Sequence, residues 1–234
     1  MRVAVIPARG GSRRIPRKNI RPFCGRPIVA YSIAAATASG LFDRVIVSTE
    51  DAEIADVARR CGAETPFVRP AELADDRTAT VPVIRHAVQW IERNLGPVDH
   101  ACCIYPAAPF VQAASLREAY DRLVKLQVRG YVFSATTFPA PIQRAFRVDD
   151  AGHVRMFWPE NYGARSQDLE AAYHDAGQFY WGSAAAYLAE TIFLSPDSVA
   201  HVLPRSQVQD IDTPEDWDRA ELMHRVLRER GDIG

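Results

Sequence analysis

Short apolar segments alternate with helical patterns along the first 138 residues of the chain. The apolar segments are rich in β-branched residues, as buried strands are, and the stretches between them carry apolar residues at helical spacing. Such an order buries its apolar surface in a parallel sheet covered by helices. We therefore predict an α/β fold with a Rossmann-like, mostly parallel sheet and helices on both faces. The predicted strands are 2–6, 43–49, 64–68, 100–106 and 130–138, and the predicted helices are 27–40, 51–62, 80–96 and 115–127.

The alternation breaks near residue 139. Segment 145–158 predicts two short antiparallel strands around an Asp-Asp-Ala-Gly turn, and segment 165–182 is dense in polar and aromatic residues with neither period. We predict a single domain over 1–234 with an inserted segment at about 139–175 that serves dimerisation. The core sheet then comprises about 1–138 and 176–234, the latter with helices at 183–193 and 213–230 and strands at 198–204 and 208–212.

Positive charge is concentrated at the start of the chain. Residues 1–42 hold eight arginines or lysines and no acid. Since the whole chain carries a formal charge of −1, the remainder carries −9. A nucleic-acid-binding protein is usually basic over a whole face, so this local excess favours a small anionic ligand and argues against RNA or DNA.

The loop after the first predicted strand combines glycines with cations. Gly10 and Gly11 permit close approach of the backbone to a ligand, while Arg9, Arg13 and Lys18 supply positive charge suited to several phosphates. In an open α/β sheet, ligands bind at this carboxyl end of the strands. Neither GxxxxGK[ST] nor GxGxxG is present, which disfavours a P-loop or a dinucleotide site. Arg14 and Arg17 are expected to be surface residues, and a solvated basic turn is the alternative for the whole loop.

The remaining composition indicates a cytoplasmic protein with no membrane partner. No apolar run reaches the roughly 18 residues of a membrane span, and no signal peptide is evident. The four cysteines form no CxxC pair, so we expect reduced thiols, buried as small hydrophobic residues.

Four motifs together resemble the CMP-sialic acid synthetases, the cytidylyltransferases of acidic sugars. These are "IPARGGSRRIPRKN", "PFVRPAELADDRTAT", "YPAAPF" and "DIDTPEDW". The wording of "PFCGRP", "CCIYPAAPF" and "RSQDLEAAYHDAGQFYWG" is most similar to the family members that use pseudaminic acid. The resemblance implies a fold of the nucleotide-diphospho-sugar transferase type, CTP and an acidic nonulosonate sugar as substrates, and a homodimer.

The resemblance also assigns roles to individual residues. It implies that Arg9, Arg13 and Lys18 hold the triphosphate, although relatives usually carry Lys where Arg13 stands. Tyr105 stands where sialic acid enzymes tend to have Gln facing the sugar, which argues against ordinary sialic acid. Gly10, Gly11 and Ser12 are further substrate contacts, Asn19, Arg69 and Thr80 are implied to bind the nucleotide, and Asp210 and Asp212 are implied to bind metal. The residues predicted to be catalytic are Arg9, Lys18 and Asp212.

The chemistry of CMP transfer agrees with these roles. A sugar hydroxyl must attack the α-phosphorus of CTP while pyrophosphate leaves, and cations must offset the repulsion between triphosphate and sugar carboxylate. Asp210 and Asp212 alternate on a predicted strand, which would direct both carboxylates to one side. Paired carboxylates suit Mg²⁺, with Mn²⁺ as a possible substitute. The alternative is that Asp212 caps the helix that follows it.

Segment 165–182 is the candidate for sugar recognition. Arg165 can pair with a carboxylate, and His174 and Gln178 offer hydrogen bonds beside aromatic side chains. An interface or core role for the aromatic residues is equally compatible with the pattern. His174 is one candidate general base, with a metal-bound water or a phosphate oxygen as alternatives.

Two alternatives to this function stay open at the level of sequence. The sugar could be sialic, legionaminic or another acidic sugar. The chain could also be a non-catalytic regulator that binds a nucleotide on the same fold, although the paired acids argue against that reading.

Overall fold

A computed structural model describes residues 1–233, and its elements follow the predicted alternation for most of the chain. The strands are β1 (Arg2–Pro7), β2 (Pro22–Phe23), β3 (Arg26–Pro27), β4 (Arg44–Ser48), β5 (His100–Ile104), β6 (Tyr131–Thr137), β7 (Phe146–Val148), β8 (Val154–Met156), β9 (Tyr173–Ser183) and β10 (Val199–Val202). The α-helices are α1 (Val29–Ser39), α2 (Ala52–Arg60), α3 (Thr80–Asn94), α4 (Ala113–Lys125), α5 (Ala184–Leu188) and α6 (Pro214–Glu229). No helix among residues 1–233 is long and apolar enough to cross a membrane.

Six strands form the central sheet in the order β10-β6-β9-β5-β1-β4. Strand β1 pairs in parallel with β4 on one side and β5 on the other, and β10 pairs in parallel with β6. The sheet is therefore mostly parallel, as the alternation predicts. The carboxyl ends of β1, β4 and β5 lie at one edge, where a ligand site is expected.

Strand β9 lies antiparallel between β5 and β6, in the middle of the sheet. The sequence pattern did not predict this strand, because it mixes polar, glycine and aromatic residues and contains no Val, Ile or Thr. Tyr173–Asp175, at its polar start, extends into the segment that was expected to be inserted. The sequence therefore gave no sign that the longest strand joins two parallel halves of the sheet.

Apolar side chains of the strands pack on both faces of the sheet. In β1, Ala4 and Ile6 belong to a cluster that includes side chains of α1, α2 and α4, whereas Val3 and Val5 belong to one that includes side chains of α3 and α5. Because successive side chains of a strand point to opposite faces, a strand covered on both sides must be apolar throughout. This requirement explains the unbroken run "VAVI".

A third apolar cluster joins α6 to the segment after the first loop. Trp217 of α6 is buried there and packs edge-on against Phe23, with ring centroids 5.5 Å apart. Thr213 begins α6 with a reciprocal capping box: its side chain accepts from the backbone N–H of Asp216, whose side chain accepts from the N–H of Thr213. The chain from 205 to 213 is thereby held beside the loop that follows β1.

Three sequence predictions for the elements are wrong. Residues 64–68 contribute a single bridge between Glu64 and Ile46 rather than a strand. Residues 208–212 form a loop after a short 3₁₀ turn, so Asp210 and Asp212 do not alternate on a strand. The helix predicted at 183–193 is limited to Ala184–Leu188, where Ser183 caps it with a bond of 3.1 Å to the N–H of Ala186.

The predicted hairpin is present as a separate two-stranded sheet. Strands β7 and β8 pair antiparallel, with Phe146 opposite Met156, and Asp149 organises the turn by accepting from the N–H of His153 at 2.8 Å. Both strands are largely exposed. The six-stranded core takes strands from either side of this hairpin.

Candidate active site

A cleft at the carboxyl end of β1 and β5 collects most of the predicted site residues. It lies between the loop that follows β1, which we call the phosphate loop (residues 8–19), and the segment that leads into α3. The predicted residues that line the cleft are Arg9, Ser12, Arg13, Lys18, Asn19, Arg69, Thr80, Tyr105 and Asp212.

Backbone contacts fix the base of the phosphate loop. The N–H of Gly10 donates to Oε1 of Glu50 at 2.6 Å, and the buried side chain of Asn19 donates from Nδ2 to the carbonyl of Arg9 at 2.9 Å. A Cβ on Gly10 would lie 2.6 Å from Oδ2 of Asp51, whereas a Cβ on Gly11 would meet nothing within 4 Å. An added Cβ at position 10 would therefore force the Asp51 side chain or the loop to shift, whereas position 11 borders open space.

Carboxylates from distant segments pair with the cations of the phosphate loop. Asp76 pairs with both Arg9 and Arg13, and Oδ1 of Asp212 lies 2.8 Å from Arg14 and 3.6 Å from Nζ of Lys18. Both acids line the cleft. The loop is thus held by ion pairs to two segments far away in the sequence.

The two arginines expected to be surface residues differ in their position. Arg14 is exposed, as expected for a surface residue, and its side chain also borders the cleft. Arg17 lies outside the cleft lining, where it pairs with Asp51 at 2.5 Å and with Glu53. Hydrogen bonds from Arg17 are the largest cause that lowers the pKa of Asp51.

Arg69 is a buried cation beside the cleft, only 4% exposed. Its guanidinium donates to Oγ of Ser48 at 3.2 Å and to the backbone carbonyl of the same residue. Burial lowers the pKa of Arg69 to about 10, and the nearby charge of Glu50 opposes this shift. Arg69 therefore stays charged at neutral pH. It presents a fixed cation where the resemblance places a nucleotide contact.

Hydroxyl groups line the opposite side of the cleft. Thr80, the first residue of α3, lies with its Oγ1 3.1 Å from the hydroxyl of Tyr105. Burial raises the pKa of Tyr105 to about 12, so the phenol is neutral. Behind it, Tyr180 donates to Asp175 at 2.6 Å, with the rings of Tyr105 and Tyr180 5.3 Å apart. The sequence analysis did not predict that the ring of Tyr180, held by Asp175, would pack beside Tyr105.

Asp210 and Asp212 flank the buried Ile211 in a loop. Lys18 donates to the carbonyl of Ile211 at 2.7 Å, which fixes this loop against the phosphate loop. Asp212 lines the cleft, whereas Asp210 is not among the lining residues. Thr213, not Asp212, caps α6, so the capping role considered for Asp212 is wrong. Desolvation of the carboxyl group and then the charge of Asp212 raise the pKa of Asp210.

Several predicted residues lie outside the cleft lining. Gly10 and Gly11 belong to the loop backbone beneath it. Arg165 is 73% exposed and pairs with Asp168 in the segment that follows the hairpin. His174 contacts the carbonyl of Asp175 through Nδ1 at 2.8 Å, and buried Gln178 donates to the carbonyl of Gln207 at 2.6 Å. The structure therefore does not bring Arg165, His174 and Gln178 together with the phosphate loop within one chain.

The sequence is similar to known proteins along its whole length. Residues 3–179 match the family model described as cytidylyltransferase. The chain is 44% identical over 227 residues to the pseudaminic acid cytidylyltransferase of Campylobacter jejuni, with 97% of each chain covered. It is 30% identical over 236 residues to the CMP-N,N'-diacetyllegionaminic acid synthase of Legionella pneumophila, again with 97% of each covered.

The fold also has a solved counterpart. CMP:2-keto-3-deoxy-manno-octonic acid synthetase in complex with CTP superposes with a TM-score of 0.69 over 96% of this chain and 98% of that chain. At 14% sequence identity this likeness concerns the fold alone. The predicted α/β fold with a mostly parallel sheet is thereby confirmed.

Proposed function

This chain belongs to the cytidylyltransferase family, and we propose that it transfers CMP from CTP to the anomeric hydroxyl of pseudaminic acid, a nine-carbon acidic sugar, with release of pyrophosphate. The family predicted from the four motifs is confirmed, and with it the assignment as a nucleotidyltransferase enzyme. The choice of sugar follows the full-length relative at 44% identity, which is named for this sugar.

One observation carries the proposal for the site. Residues from four separate sequence motifs meet in a single cleft at the carboxyl end of the sheet: Arg13 from the first, Thr80 from the second, Tyr105 from the third and Asp212 from the last. A ligand in this cleft therefore touches all four motifs at once. A nucleoside triphosphate carries the negative charge that the arginines and the lysine of this cleft would complement.

We assign the phosphate-binding role to Arg9, Arg13 and Lys18. Arginine grips phosphate oxygens with two parallel bonds and lysine acts as a point charge, so together they stabilise charge that grows on the departing pyrophosphate. Lys18 is anchored by its bond to the carbonyl of Ile211. Asn19, Arg69 and Thr80 are proposed nucleotide contacts, with Asn19 also holding the loop.

Asp210 and Asp212 are proposed to hold Mg²⁺ together with phosphate oxygens of the substrate. No cluster of three or more His, Cys, Asp or Glu side chains among residues 1–233 has the arrangement of a complete metal site. A magnesium ion at one or two carboxylates plus substrate phosphates needs no such cluster. Desolvation and then the charge of Asp212 raise the pKa of Asp210, and a cation shared by the two acids would offset their negative charge. When bound, Mg²⁺ would offset negative charge on the phosphates.

Sugar recognition is proposed to involve Tyr105 in the cleft. The hydroxyl pair of Thr80 and Tyr105 offers polar contacts beside an aromatic face. Arg165, His174 and Gln178 stay proposals as sugar contacts. Arg165 lies in the exposed segment that follows the hairpin of β7 and β8, and we propose that this hairpin and the segment after it form the homodimer interface. We also propose a cytoplasmic location, in keeping with a reaction that uses CTP and with four cysteines that are all free.

The proposal is tested by offering the protein CTP, Mg²⁺ and a panel of nonulosonic acids and following pyrophosphate release. We expect the highest kcat/KM for pseudaminic acid, followed by legionaminic acid and N-acetylneuraminic acid. UTP in place of CTP controls for the nucleotide. A higher kcat/KM for N-acetylneuraminic acid would overturn the choice of sugar, and no pyrophosphate release with any sugar would overturn the activity.

A further inference from the structure

The carboxylate of Asp76 bridges two arginines of the phosphate loop. One oxygen pairs with Nη1 of Arg9, and the other lies 2.5 Å from Nε of Arg13. All three residues line the cleft. These are two of the three cations to which we assign the triphosphate, so an acid of the chain itself engages the groups that a phosphate needs.

Asp76 differs in its contacts from the acid that precedes it. Oδ1 of Asp75 accepts from the N–H groups of Arg77 and Thr78 and from the hydroxyl of Thr78, so it is committed to a local turn. Within residues 1–233, the ion pairs of Asp76 are made only with Arg9 and Arg13. The Asp76 side chain can therefore leave those arginines without breaking a hydrogen bond of the turn.

We propose that Asp76 is an internal competitor of phosphate, which pairs with Arg9 and Arg13 when no phosphate is bound and is displaced when a di- or triphosphate enters. This inference rests on the proposed function, since it assumes that phosphates bind these arginines. A partly exposed pair between arginine and a single carboxylate is weak. A triphosphate brings more charge and two-pronged contacts, so it replaces the carboxylate. When pyrophosphate departs, the carboxylate of Asp76 pairs with the two arginines again.

Competition of this kind predicts the direction in which anion affinity changes when the charge of Asp76 is removed. A carboxylate that must be displaced weakens the binding of every anion that uses the same arginines. Removing its charge therefore strengthens the binding of CTP and of pyrophosphate together. A carboxylate that merely orients the arginines predicts the opposite, because its loss leaves two flexible side chains to be ordered by the ligand.

The test measures dissociation constants for sodium pyrophosphate and for CTP by calorimetry. For Asp76→Asn we expect binding of pyrophosphate about tenfold tighter, as expected when one like charge leaves a site of intermediate dielectric. Asp76→Glu keeps the competing charge and is expected to bind as the unaltered protein does. Asp197→Asn is the matched control, because it breaks a pair with Arg129, 2.8 Å long, outside the cleft lining.

Each outcome decides the question. Unchanged or weaker pyrophosphate binding by a folded Asp76→Asn variant overturns the inference. Asp76→Ser, which also removes the charge, carries the same expectation if the Asn variant does not fold. Failure of the unaltered protein to bind CTP would contradict the proposed function. Normal CTP binding by that protein, with no gain in either charge-removing variant, would contradict this inference alone.

Discussion

The carboxylate of Asp212 forms ion pairs with Arg14 and Lys18 of the phosphate loop and does not cap α6. Because Thr213 is the cap, Asp212→Asn is expected to fold normally while losing a negative charge from the proposed metal site. We expect kcat/KM to fall about 10²-fold, the size of effect seen when a strong electrostatic stabiliser is removed. Excess Mg²⁺ or Mn²⁺ should restore part of the activity, measured as rate against metal concentration.

The neighbouring residue provides the control for this change. Thr213→Ala removes the cap and is expected to lower the free energy of unfolding by about 1 kcal/mol, with the metal dependence unchanged. The two variants thus separate a metal role from a helix role in adjacent residues. A folded Asp212→Asn protein with full activity at ordinary Mg²⁺ would remove Asp212 from the metal site.

Replacing Gly10 or Gly11 by alanine is expected to have different effects on stability, although the two residues are adjacent. An added Cβ at Gly10 meets the carboxylate of Asp51, which also holds Arg17 and caps α2. We expect Gly10→Ala to lower both Tm and CTP affinity, because Asp51 or the loop must shift. Gly11→Ala meets open space and is expected to keep its Tm. Thermal melting and CTP titration of both variants measure the difference, and equal losses of Tm would contradict it.

At the scale of the element, Asp51 links the phosphate loop to the start of α2. It accepts from the N–H of Ile54 at 3.0 Å and pairs with Arg17, which lowers its pKa. A carboxyl group with a depressed pKa stabilises the folded state above its unfolded value, near 3.9, and loses that contribution as the pH falls through the folded value.

We therefore expect Asp51→Asn to be less stable than the unaltered protein by roughly 0.5–1 kcal/mol at pH 7, since Asn still caps but no longer pairs as an ion. This difference should shrink below about pH 4, as the carboxyl group of the unaltered protein becomes protonated. Urea unfolding at several pH values measures it. Glu53→Gln, which removes an exposed partner of Arg17, is the control, and a difference that stays constant with pH would count against the pairing.

Local sequence patterns predicted the amphipathic helices and the strands built from short apolar runs, and missed elements whose residues match neither pattern. Helices α1, α3 and α4 and strands β1, β5 and β6 lie where the pattern places them. Strand β9 was missed because it mixes polar, glycine and aromatic residues and contains no Val, Ile or Thr, unlike the apolar runs of β1, β5 and β6. The segment 208–212 looked like a strand but is drawn into a loop by contacts such as the bond from Lys18 to Ile211. That bond spans 193 positions, beyond any local pattern.

The same distinction holds for the site. The position of Arg9 and Lys18 in the cleft could be predicted from sequence because glycines and cations are concentrated in one short stretch after a strand. Asp76 and Arg14 could not be told from surface charges, since their roles depend on which side chains face them across the cleft. Motif resemblance located the segments, and folding determined which members of each segment meet.

At the scale of the whole molecule, the hairpin of β7 and β8 leaves apolar side chains in solvent. Phe146 is 55% exposed, Phe157 56% and Trp158 42%. An isolated two-stranded hairpin is marginally stable and gains little by exposing aromatic rings. Three exposed aromatic rings in and directly after one hairpin favour an interface with a second copy of the chain. Dimers with two-fold symmetry are the commonest assembly of identical subunits.

We accordingly predict a homodimer whose interface includes this hairpin. Phe157→Glu places a charge among the exposed rings and is expected to shift the protein to monomers at micromolar concentration, measured by sedimentation velocity, because an unpaired charge at an apolar interface is costly. Leu222→Glu alters an equally exposed apolar residue of α6 and is expected to leave the dimer intact. A monomeric unaltered protein would refute the homodimer. If Leu222→Glu dissociates the dimer and Phe157→Glu does not, the interface lies on α6 and not on the hairpin.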